Sequence, residues 1–169
     1  MNACRKEKPE PPNEEEVITT LIYTLTDTAT QKKYEFKFTD IDGDGGMSPI
    51  IKFDTLPKNS VFNATIILLN EQNNPAENIT KEIEAEQEDH QFFYSSNSTS
   101  LTFEYSDKDK NGNPIGLTTL VKTKDIFNGN LTVTLKHEPD KNANGVKNGD
   151  KTNAGGQTDI EVTFPLSIK

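Results

Sequence analysis

Three segments of the chain share one spelling. Asp40-Ile41-Asp42-Gly43-Asp44-Gly45, Asp107-Lys108-Asp109-Lys110-Asn111-Gly112 and Asp140-Lys141-Asn142-Ala143-Asn144-Gly145 all read D-x-[DN]-x-[DN]-G. That is the opening half of an EF-hand-type calcium loop, in which alternate side-chain oxygens converge on a hard cation and a glycine permits the sharp turn behind them. The candidate ligands are Asp40, Asp42 and Asp44 in the first loop, Asp107, Asp109 and Asn111 in the second, and Asp140, Asn142 and Asn144 in the third. A bidentate Glu should close each loop at its twelfth position, but Ile51, Thr118 and Lys151 stand there. These are therefore not EF-hands, and a bound Ca²⁺ would need oxygens from elsewhere. The plain competitor is a metal-free turn, because Asp, Asn and Gly crowd into turns for conformational reasons alone.

The chain has two histidines, His90 and His137. Glu86 and His90 stand four residues apart, a spacing that lets both reach one ion from a helical face. His137 shares the parity of Leu131, Val133 and Leu135 and leads through Glu138 into the third loop. If the fold brings the two imidazoles together beside carboxylates, the donor set suits Zn²⁺ or Cu²⁺. Two unrelated strand-end histidines are the alternative, and spacing leaves both readings open.

Catalytic constellations do not occur. There is no nucleophile motif, no phosphate-cradling glycine loop and no H-E-x-x-H, so the residues point to binding and not to an enzyme.

These residues must be positioned by strands. Tyr34, Phe36 and Phe38 alternate with charged residues, as do Leu101, Phe103 and Tyr105, Leu131, Val133 and Leu135, and the run Ile160, Val162, Phe164, Leu166 and Ile168. Less regular strands are predicted over 17–26, 61–69, 90–94 and 115–122. Period-two alternation with one apolar face predicts an all-β fold, an antiparallel sandwich or barrel of about eight strands. One short amphipathic helix is expected from Asn74-Pro75-Ala76-Glu77, which supplies an N-cap, a first-turn proline and a capping-box Glu, with Ala76, Ile79 and Ile83 on one face.

The 169 residues suit one domain, read as 17–169, behind a leader at 1–16. The net charge of −9 excludes a nucleic-acid partner, whose phosphates demand a basic surface. The single cysteine, Cys4, precludes an internal disulfide. Ala3-Cys4 resembles the end of a bacterial lipoprotein signal, which makes Cys4 the candidate lipidation site. The proline- and charge-rich stretch Lys6–Glu16 then reads as a flexible tether to the membrane. Arg5-Lys6-Glu7 is similar to the short charged signal that sends lipoproteins of the Bacteroidota to the cell surface.

Several longer segments carry a wider resemblance: Glu14-Glu15-Glu16-Val17-Ile18-Thr19-Thr20, the first loop through Gly46, Asn74-Pro75-Ala76-Glu77, Glu88-Asp89-His90-Gln91-Phe92-Phe93 and His137-Glu138-Pro139-Asp140-Lys141. Together they resemble small flavobacterial surface lipoproteins associated with TonB-dependent receptors. The resemblance implies a lipid-anchored, outer-membrane, surface-exposed protein that captures a metal ion or metal complex for an outer-membrane receptor. A calcium-stabilised adhesion or structural module without cargo is the alternative. No catalytic residue is implied by either.

Overall fold

The computed structural model describes residues 16–43 and 45–169. Cys4, the leader up to residue 15 and Asp44 lie outside these residues. Among the described residues ten strands form: β1 (Thr20–Asp27), β2 (Lys33–Thr39), β3 (Ile50–Phe53), β4 (Val61–Asn70), β5 (Glu77–Asn78), β6 (His90–Ser96), β7 (Leu101–Tyr105), β8 (Thr118–Thr123), β9 (Phe127–His137) and β10 (Gln157–Ile168). They make two antiparallel sheets. The larger runs β3-β2-β1-β4-β8-β7, with β5 added to β4, and the smaller runs β10-β9-β6. The fold is thus an all-β sandwich.

Alternation decides which side chains enter the core, because successive residues of a strand face opposite sides of its sheet. Leu21, Tyr23 and Leu25 of β1, Phe36 of β2 and Phe62, Ile66 and Leu68 of β4 line the large sheet's inner face. Phe92 and Tyr94 of β6, Leu131, Val133 and Leu135 of β9, and Phe164 and Leu166 of β10 oppose them. Rings interlock across the interface: Phe36 meets Phe164 edge-on at 5.7 Å and Tyr23 stacks on Tyr94 at 5.0 Å. One seam between the sheets is closed by backbone, where Leu56 exchanges hydrogen bonds with the end of β10 at Ser167 and Lys169. The long β9–β10 connection folds over the small sheet's outer face. It buries Val146 and Ala154 against Phe93, which projects opposite to Phe92 and Tyr94.

The helix is shorter than its capping signals predict. It spans Thr80–Ala85 (α1), with Ile79 and not Asn74 at its N-cap. The reason lies in β4, whose ten residues outrun β8: the β4–β8 pairing covers only Val61–Thr65. The open edge at Leu69 and Asn70 recruits Asn78 and Glu77 as β5, and those strand hydrogen bonds displace the first helical turn. Thr80 then fixes the helix start, its hydroxyl accepting from the Leu68 N–H and its own N–H donating to the Asn78 side chain.

Candidate metal centre

The sheet register brings the two histidines together. His90 opens β6 and His137 ends β9, and they are direct cross-strand partners. Their imidazoles lie 4.6 Å apart between ring centres, with His137 Nδ1 2.9 Å from His90 Nε2. His90 is 1% exposed, and its Nδ1 lies 3.1 Å from the Glu86 carbonyl oxygen. A carbonyl only accepts, so the His90 proton sits on Nδ1, and Nε2 carries the lone pair that faces His137. Such a fixed tautomer is the usual second-shell arrangement of a metal-ligating imidazole.

Two carboxylates flank His90. Asp159 Oδ2 lies 4.0 Å and Glu16 Oε1 3.9 Å from His90 Nε2. Asp159 reaches the cluster because β10 is bulged there: Thr158 pairs with Lys136 and Ile160 with Leu135, so the register shifts across Asp159. A bulge of this kind re-aims a side chain that regular alternation would send to the other face. Glu16 arrives from the segment just before β1. Its Oε2 is buried and meets no hydrogen-bond donor among the described residues. Among those residues, the donor atoms of His90, His137 and Asp159, and likewise those of Glu16, Glu86 and His90, lie within 4.8 Å of one another.

The electrostatics leave room for a cation. Burial raises the Glu16 carboxyl to about 7, reinforced by Asp159, Glu82 and Glu86. The neighbouring charges that raise it are carboxylates. Burial also lowers the His90 imidazole below its ordinary value; its bond to the Glu86 carbonyl opposes this, and His137 adds to it. A neutral imidazole is the ligand form. Ligands about 2.0–2.1 Å from a tetrahedral ion lie roughly 3.3 Å from each other, a value bracketed by the 2.9, 3.9 and 4.0 Å separations observed. The donor set of two imidazole nitrogens with carboxylate oxygens suits a borderline first-row metal such as zinc or copper better than a hard cation.

The three D-x-[DN]-x-[DN]-G loops lie apart from this cluster in their bonding. Their closing glycines, Gly45, Gly112 and Gly145, all take positive φ, as the spelling requires. In the first loop Asp40 accepts the Gly43 N–H and Asp42 the Met47 N–H. In the second, the two Asp107 oxygens take the Gly116 and Thr118 N–H groups, while Asn111 donates its amide to Glu88. Asp109 Oδ1 takes the Asn111 and Asn113 N–H groups and its Oδ2 takes the Lys141 ammonium at 3.0 Å. Lys141 comes from the third loop and also donates to the Gln87 carbonyl, so this buried ion pair ties the second and third loops to the segment after α1. In the third loop Asp140 accepts the Asn142 N–H, and the Asn144 carbonyl accepts from Asn153. Glu138 is exposed and turned by a positive φ, and Asp150 caps Thr152.

Sequence reasoning pairs the histidines conditionally but misses Asp159 and Glu16. Parity assigns Asp159 outward, and only the residue count on the facing strand reveals the bulge. Glu16 reads as the end of the leader, and no local pattern says that it turns back onto β6. Comparison of the chain with protein-family models, with curated proteins and with solved structures finds no match.

Proposed function

We propose that this domain binds a divalent transition-metal ion, of zinc or copper type, through His90 Nε2, His137 Nδ1 and Asp159, with Glu16 as a fourth ligand. We further propose that the chain is anchored through Cys4 at the bacterial outer membrane and captures the ion, free or complexed, for an outer-membrane receptor. The observation that carries the reading is the cross-strand histidine pair with two carboxylates at 3.9 and 4.0 Å from one ligand nitrogen. The ion would supply the positive charge that this group of acids lacks. The residues themselves orient the lone pairs, with Glu86 holding the His90 tautomer and the bulge presenting Asp159. The leader and the surface-lipoprotein resemblance support the anchoring and capture, and the acidic surface attracts cations.

Isothermal titration of the metal-stripped protein tests the binding. Zn²⁺ or Cu²⁺ should bind one per chain with Kd tighter than about 10 µM, and His90→Ala/His137→Ala should abolish it. Binding that survives the double substitution would place the ion elsewhere, and no binding in the wild type would end the proposal.

A further inference from the structure

A second site lies away from the imidazoles, in the cleft between β7 and the 3₁₀ turn Val146–Asn148. We propose that this cleft binds a small aromatic anion, a ring of one or two fused six-membered cycles bearing a sulfonate or carboxylate. Two adjoining hollows of about 260 and 430 Å³ share Phe103, Tyr105 and Asn148, the larger within the usual range for small-molecule sites. The walls are aromatic and fixed. Tyr94 and Phe103 stack with centres 5.5 Å apart at 26°. The Tyr94 hydroxyl donates to the Gly116 carbonyl and the Tyr105 hydroxyl to the Phe92 carbonyl, so both rings are locked by bonds directed into the protein. Phe103 and Tyr105, both half-buried, offer π-surface to a flat guest without rearrangement, with the buried Tyr94 packed behind them.

The far wall is held at the same spacing by the buried Gln91, whose amide donates to both the Tyr105 hydroxyl and the Val146 carbonyl. Gly149 ends the 3₁₀ turn beside the Tyr105 hydroxyl with a φ of +90°, a backbone conformation that favours glycine.

Charge selects the guest. Two lysines, Lys108 and Lys147, line the cleft, and among the described residues neither is ion-paired. The acids beside them are already engaged: Asp107 by two backbone N–H groups and Glu104 by Lys122. With Glu104 offset by Lys122, the two lysines outnumber the remaining lining carboxylate, Asp107, a small positive excess over an aromatic floor that favours an anion attached to a ring.

Amide-resolved NMR titration of the whole protein with 1-naphthalenesulfonate, neutral 1-naphthylmethanol and ring-free methanesulfonate tests this. The naphthalenesulfonate should shift the amides of Phe103, Tyr105, Asn148 and Gly149 with Kd of about 1 mM or tighter. The alcohol and methanesulfonate should each bind about tenfold more weakly, as should naphthalenesulfonate to Lys108→Glu/Lys147→Glu. Both lysines are exposed, so the variant's unchanged melting curve would confirm that the fold is intact. The proposal is overturned if the cleft amides do not move, if the alcohol or methanesulfonate binds as tightly as naphthalenesulfonate, or if the lysine variant binds it undiminished.

Discussion

Glu16 gives the residue-scale prediction its sign. Its folded pKa is about 7 against 4.5 in an unfolded chain, because burial and three neighbouring acids oppose its charge. Between those values the folded state holds a proton that the unfolded state has released, so this group's stabilisation is full below about 4.5 and lost as pH rises to about 7. Thermal melts of metal-free protein should therefore show Glu16→Gln gaining on the wild type from pH 5 to pH 8; parallel curves would refute the assignment. The buried pair between Lys141 and Asp109 works in the opposite direction. Burial pushes the Asp109 carboxyl up, but the Lys141 ammonium and the Asn113 and Asn111 N–H groups outweigh it, so its folded value is depressed. Its stabilisation is present above its ordinary range and lost as pH falls through the lowered value. Lys141→Met strands a buried carboxylate and should cost about 3 kcal/mol at neutral pH by denaturant titration. Adding Asp109→Asn should recover much of that loss, and additive losses would mean the two side chains are not coupled.

At the scale of elements, the β10 bulge separates folding from metal binding. Deleting Asp159 would let Thr158 and Ile160 pair with Lys136 and Leu135 in unbroken alternation. The deletion variant should fold with a metal-free melting temperature within about 5 °C of the wild type, yet bind zinc at least about tenfold more weakly. Undiminished zinc affinity in the deletion would show that the bulge has no role in the site. The same element shows where sequence legibility stops. The run from Ile160 to Ile168 announces β10 and its inward face without ambiguity, because period-two alternation is a local property. The bulge is a relation between two strands, so nothing within 157–160 reveals it. The helix fails for a related reason. Its caps are locally correct at Asn74-Pro75-Ala76-Glu77, but β8, distant in sequence, pairs β4 only over Val61–Thr65, and the edge it leaves open at Leu69 and Asn70 takes Asn78 and Glu77 as a strand.

For the whole molecule, the all-β antiparallel class was readable from alternation, with sandwich and barrel both open, while the strand order that pairs β6 with β9 was not. That order alone makes neighbours of residues 90 and 137, and with them the candidate centre. The calcium-like spellings were readable too, but the loops' internal use of their carboxylates depends on long-range partners such as Lys141. At this scale the proposed ion joins the small sheet to the segment entering β1, through His90, His137, Asp159 and Glu16. X-ray absorption at the zinc edge of the protein loaded with one equivalent tests that claim most directly. The account predicts a four-coordinate nitrogen/oxygen shell near about 2.0 Å with scattering from two imidazoles, falling to one in His137→Ala. An oxygen-only shell without imidazole scattering, unchanged by that substitution, would contradict it.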